Sequence, residues 1–207
     1  MTAYTQSTPV SANSEYTAYE FFVRQIMSEQ NTATLVKVMA VTTSGGVSPI
    51  GTVDVLPLVN QIDGQGNATP HATVHGLPYC RVQGGANAVI LDPIVGDIGC
   101  AVFAHRDISS VKAKVGQANP GSFRRFDMAD GIYLFAVMGG TPTQYVQFSS
   151  GGINVVSPTQ ITFQAPTITL NGNTVTTGTL ANNGKNVGST HAHGGVQTGG
   201  GNTGVPV

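Results

Sequence analysis

The last 77 residues of this 207-residue chain carry one charged side chain, Lys185, whereas residues 1–130 hold all 10 acids and 8 of the 9 bases. Nothing else in the sequence limits the fold as much. Ordinary soluble proteins are about 25% charged throughout, so a break this sharp marks two architectures in one chain. Disorder does not account for the second, because disordered segments are charged and poor in β-branched residues. Here apolar residues alternate with Thr, Asn, Gln and Ser in very short runs: Ile153 and Val155, then Ile161, Phe163 and Ala165, then Ile168 and Leu170, then Val175. Breakers stand between them, at Gly151-Gly152, Ser157-Pro158, Pro166 and Asn171-Gly172-Asn173. The first apolar positions fall at 153, 161, 168 and 175, a step of seven or eight. That pattern reads as a repeat of short strands, each with one apolar and one polar face.

One chain cannot bury such a strip. Each run offers two or three apolar side chains, too few to offset the entropy of ordering a strand. Three identical chains wound about one axis solve the problem, each supplying one wall of a prism filled by Ile, Val, Leu and Phe. Backbone groups then pair with strands above and below at about 4.8 Å, and no open sheet edge runs along the shaft. The expectation is an obligate homotrimer. Absence of charge fits in two ways. On a three-fold axis a charge meets its own copies, which is destabilising on sheets. A shaft that enters a bilayer also avoids charge, which costs several kcal/mol in hydrocarbon.

The first part is different. Residues 1–13 read as a mobile arm. From Ser14 a helix is expected, with Tyr16, Tyr19, Phe22, Val23, Ile26 and Met27 on one stripe and its start set within a turn by a capping box of Thr17 and Glu20. The stripe either packs on its own domain or docks a partner. Five strand-like runs follow, at 34–41, 51–59, 72–77, 88–91 and 99–105, separated by turn clusters. Five short strands in about 75 residues suggest a small antiparallel barrel, with the OB-fold the best fit. A further apolar run at 132–138 leads out of it.

A net charge of −1 argues against nucleic-acid binding, which rests on phosphate neutralisation. No stretch approaches the roughly 20 apolar residues of a membrane span. The first fourteen residues lack the basic start and apolar core of a secretory signal. Cys80 and Cys100 are expected to stay reduced, as ordinary semi-buried thiols.

One constellation carries chemistry. In the segment Ser189-Thr190-His191-Ala192-His193-Gly194, His191 and His193 project together if the strand is extended. Two imidazoles are a weak metal site on a monomer. On a three-fold axis they become six nitrogens around one point, suited to an octahedral ion and unlike tetrahedral structural zinc. Such a site is closed to water, so its role is structural. The glycine-rich tail at 194–207 either folds tightly around the ion or frays. Other candidates are weaker. His71 and His75 lie beside Pro70 and Pro78, where a metal-binding helix is implausible. Asp92-Pro93 and Gly96-Asp97 read as turns. Asp127 and Asp130 form a carboxylate pair with nothing to place it in a cleft. Arg124 and Arg125 read as an interdomain or subunit contact. Nucleophile motifs, phosphate loops and metalloprotease signatures are lacking, so no enzymatic activity is expected.

Taken in order, small barrel, Thr/Asn/Gly strand repeat, His-X-His and glycine-rich tail resemble the membrane-puncturing central spike proteins of contractile bacteriophage tails. Residues 34–41, 51–59, 93–97 and 105–108 look like that family's N-terminal OB-fold, 123–131 like its closing segment, and 189–194 like its tip motif. The resemblance implies an all-β chain with an arm and helix at 1–30, an OB-fold domain at 31–122, a connecting segment at 123–150, a trimeric triple-stranded β-helix at 151–188 and a metal-bound apex at 189–207. It implies one iron ion per trimer, held by His191 and His193 of each chain. It also implies a virion protein, assembled in the host bacterial cytoplasm, that docks on the baseplate hub at the end of the tail tube and is driven through the host outer membrane. Two alternatives come from other classes. A tail-associated peptidoglycan-degrading enzyme needs a cleft with a carboxylate of raised pKa. An adhesin tip needs an aromatic recognition surface, and residues 150–207 contain one aromatic, Phe163.

Overall fold

Ser14 opens the first helix. Its hydroxyl accepts the Thr17 amide at 3.2 Å while Thr17 Oγ1 accepts the Ser14 amide at 3.0 Å. This reciprocal cap starts α1 (Glu15–Ser28) at Ser14, with Thr17 as the answering residue rather than the first one. This computed structural model describes residues 14–43, 46–63, 65–188 and 199, and the chain divides into two units, Met1–Thr141 and Pro142–Val207. With 34% of the described residues in strands and 13% in helices, the chain belongs to the all-β class.

In the first unit α1 is followed by β1 (Ala33–Val41), β2 (Thr52–Pro57), β3 (Gln61–Ile62), β4 (Ala68–Thr69), β5 (Val74–Pro78), β6 (Val82–Gly84), β7 (Asn87–Val89), β8 (Ile98–Phe103), α2 (Ser109–Lys114), a 3₁₀ turn (Met128–Asp130) and β9 (Gly131–Met138). Five of the strands form one sheet in the order β5-β2-β1-β8-β9, every neighbouring pair antiparallel. Side chains alternate across it. β2 buries Val53, Val55 and Pro57 and turns Thr52, Asp54 and Leu56 away. Val36 and Val38 of β1, Leu77 of β5, Ala101 of β8 and Tyr133 of β9 complete the core with Tyr79. A parallel bridge joins Tyr79, just past β5, to Tyr133 in β9, and the Cys80 amide donates to the Tyr133 carbonyl at 2.9 Å. The two outer strands of the sheet are therefore tied to each other.

One strand expectation needs correcting. The run at 88–91 does not enter this sheet; β7 pairs with β6 in a separate hairpin. The fifth strand is β9, which the sequence reading had leading out of the domain. β7 is three residues long and Pro93 soon follows it, whereas β9 runs for eight residues and begins on a glycine that the core requires. A Cβ on Gly131 would lie 2.7 Å from Leu77 Cδ2 and 2.9 Å from the Phe103 ring. A Cβ on Gly99, across the sheet, would collide with the Tyr133 ring.

The second unit has two hairpins among its described residues. In the first, β10 (Tyr145–Ser149) pairs with β11 (Gly152–Val156). In the second, β12 (Ala181–Asn182) pairs with β13 (Lys185–Asn186) through Asn183 and Gly184, both at positive φ, as a type I′ turn requires. The runs Ile161/Phe163, Ile168/Leu170 and Val175 lie outside any strand. A strand exists only where another strand completes its ladder, and nothing among the described residues pairs with these.

Candidate functional site

His191 and His193, the expected metal ligands, lie outside the described residues. What is described is the apolar strip that leads to them. In β10 and β11 the register sets Val146 opposite Val155 and Phe148 opposite Ile153, so four apolar side chains share one face. That face is bare: Phe148 is 76% exposed and Ile153 62%. Beyond the hairpin Phe163, Leu170 and Val175 are 72, 70 and 86% exposed. From 142 to 188 no residue is buried, and all but Ser157 and Gly188 are exposed. Among its described residues the unit therefore has an apolar repeat without a core.

The first unit, by contrast, ties several of its charged side chains into three hydrogen-bonded groups. Asp107 and Asp130 are both buried, and Arg124 reaches them together. Arg124 Nε and Nη2 donate to the two oxygens of Asp130 at 2.6 and 2.8 Å, and Nη2 also donates to Asp107 Oδ1 at 3.1 Å. Backbone amides of Ile108 and Ser109 donate to Asp130 and Asp107, at 3.0 and 2.8 Å, and the Ser122 hydroxyl adds a 2.7 Å bond to Asp107. Hydrogen bonds from Ser109, then Ser122, hold the Asp107 carboxyl well below its ordinary range. The Arg124 hydrogen bond does the same for Asp130, helped by the Ile108 amide and opposed by burial. Both stay ionised, fastening the segment after β8 to the start of β9.

Arg124 clamps Asp107 and Asp130 within the first unit. Asp127 does not pair with Asp130; its carboxylate accepts the Ala129 amide at 2.8 Å and caps the 3₁₀ turn.

The second group is Arg81 and Asp92, with side chains 3 and 11% exposed. Arg81 Nη2 reaches both Asp92 oxygens, at 2.7 and 2.8 Å, and Nη1 donates to the Ser48 carbonyl at 2.6 Å. Asp92 is thus an ion-pair partner rather than a turn residue, while Asp97 does close a turn by accepting the Ile94 amide at 3.0 Å. One signal could have found this pair: in a charge-poor chain an arginine and an aspartate flank the short hairpin of β6 and β7.

The third group sits on the outer face of β2. Asp54 Oδ2 lies 2.7 Å from His75 Nδ1, and Asp54 Oδ1 accepts the Gly76 amide at 2.9 Å. The hydrogen bond with His75, then that from Gly76, lowers the Asp54 pKa. Gly76 stands at φ +70, where the β2–β5 register slips, so the trio locks a bulge. Residues 70–73 form no helix, as Pro70 dictates. Cys80 and Cys100 are free, half-buried thiols.

No family model matches the chain, and no curated protein matches its sequence.

Proposed function

We propose that this chain is the membrane-puncturing central spike of a contractile phage tail, acting as a homotrimer and performing no catalysis. The observation that carries the proposal is the second unit's apolar repeat, ordered in steps of seven or eight along the sequence and without one buried residue from 142 to 188. Two further copies of the same strip supply the missing partners: each unpaired run gains a ladder and each apolar face gains a core, in a triple-stranded β-helix. In the first unit the order β5-β2-β1-β8-β9 with its outer strands bridged at Tyr79 and Tyr133 supports an OB-type barrel, the docking base against the baseplate hub. The apolar, charge-poor shaft suits passage through the host outer membrane.

His191 and His193 of three chains would hold one iron ion at the apex. Six neutral imidazoles suit a first-row transition ion in octahedral coordination. Such an ion supplies no reaction. It ties three chain ends where fraying would begin.

Native mass spectrometry of the full chain, expressed with iron in excess, tests the reading. A trimer with one transition-metal ion is the expected result; a folded, monodisperse monomer overturns it. Replacing both His191 and His193 with Ala removes the metal and leaves the trimer, because the shaft contributes most of the burial. Metal retained at full stoichiometry in that variant would place the ion elsewhere.

A further inference from the structure

The stripe of α1 is as bare as the second unit. Tyr16, Tyr19, Phe22, Val23, Ile26 and Met27 are each 55 to 75% exposed, while Ala18, Phe21 and Gln25 on the other side of the helix are half-buried. We propose that this stripe is the seam of a parallel three-helix coil made by the α1 helices of three copies of the chain, a reading that rests on the homotrimer proposed above.

Spacing is the first argument. Tyr16, Tyr19, Val23 and Ile26 follow one another at three, four and three residues, the a and d positions of a heptad. Ile26 at a d position disfavours a two-stranded coil, which prefers Leu there, and favours three or four strands, the homotrimer setting the number at three. The apolar flanking residues agree. Phe22 and Met27 fall at g and e five residues apart, so in a parallel coil the aromatic ring of one helix meets the thioether of the next. Glu15 and Glu20 hold the corresponding pair one heptad earlier; that like-charge contact opposes the seam, and Arg24, paired with Glu20 at 2.6 Å within its own helix, offsets it.

Area is the second argument. Three aromatic and three aliphatic side chains, each more than half exposed, offer on the order of 700 Å² per helix, close to the about 800 Å² per partner of a standard interface. A lipid surface is a poor occupant. Interfacial helices are rich in Lys and Arg, and this one has a single Arg among Glu15, Glu20 and the adjoining Glu29. Alone, two heptads are too short to hold together. Tethered to a trimer they assemble at a high effective concentration.

Cysteine cross-linking in the full chain tests the seam, with the parent chain run alongside as the baseline for Cys80 and Cys100. Under mild oxidant Val23→Cys, at an a position, is expected to give a disulfide-linked dimer band absent from the parent. Ser28→Cys, on the opposite face, is expected to give none. A second variant, Ile26→Asp, sets three carboxylates around the seam and should remove most of the helical circular-dichroism signal while native mass spectrometry still counts three chains. A trimer in which Val23→Cys fails to link, or in which both cysteines link equally, overturns the seam and leaves the spike reading standing. A monomer overturns both.

Discussion

At the scale of single residues, the first unit is held by carboxylates that are ionised below their normal range, which makes its stability depend on pH in one direction. A carboxyl whose pKa is lowered on folding binds fewer protons in the folded than in the unfolded chain, so stability rises with pH wherever the unfolded group is protonated. For Asp54, Asp107 and Asp130 the contribution is complete above the unfolded value of about 3.9 and fades as pH falls below it. The urea midpoint should therefore be flat between pH 7 and 5 and fall steeply from about pH 4 downward. Arg124→Ala removes the first cause of the Asp130 shift. Its midpoint should be lower than the parent's at pH 7 and should vary less with pH between 5 and 2. An unchanged midpoint at pH 7 would mean the clamp contributes nothing. Tyr133 makes the opposite point. Its hydroxyl is buried without a partner among the described residues, and burial raises its pKa. An unsatisfied buried hydroxyl is a cost, so Tyr133→Phe is expected to be neutral or to stabilise by up to about 1 kcal/mol in the same measurement. The partnerships between distant residues were not legible in the sequence beforehand. Arg124 lies 17 residues from Asp107 and Arg81 lies 33 from Ser48, and pairing at such separations is decided by sheet register, which composition and spacing do not carry.

Elements were more legible than their partnerships. β1, β2, β5 and β8 fall within two residues of the runs read from alternation, because a half-buried strand writes its two faces into every second residue. The sheet's fifth member was missed, since its selection depends on close approach. β9 fits beside β8 where Gly99 and Gly131 leave room for the Tyr133 and Phe103 rings, and a lone glycine in an apolar run carries no mark of what it faces. Gly99→Ala tests this account. The added methyl meets both the Tyr133 ring and, at 2.6 Å, the Phe135 carbonyl, so the β8–β9 pair must shift. A loss of about 1–3 kcal/mol is expected, the range for overpacked cores. Combining it with Tyr133→Phe should not restore stability, because the ring carbon and the backbone oxygen remain in the way. Full rescue would show that the hydroxyl alone sets the limit. The hairpin at 181–186 had a signal that went unused: Asn183-Gly184 between short polar runs is the strongest two-residue turn marker.

At the scale of the whole molecule the shortness of the apolar runs, two or three side chains each, implied that the second unit would have no core of its own, and among the described residues it has none. Ordering a residue costs roughly 1–2 kcal/mol, and a fully buried aliphatic side chain returns about 1.5–3; here no such side chain exists from 142 to 188. The deficit is general to the strip, so a spike shaft and an isolated chain respond differently to a charge placed on it. Leu170→Glu puts one carboxylate per chain on the apolar face, which becomes three around one axis if the strip is internal. Each copy loses leucine packing on the order of 2–5 kcal/mol and gains mutual repulsion. The expected result is loss of the trimer in native mass spectrometry and rapid chymotryptic cleavage near Phe163, while thermal unfolding of the first unit is unaltered. Thr169→Glu, one residue earlier and so on the polar face of the same run, places three carboxylates outside the prism and should keep both the trimer and its protease resistance. Equal behaviour of the two variants would mean that the strip is a surface rather than an interior, and the shared core with it would have to be abandoned.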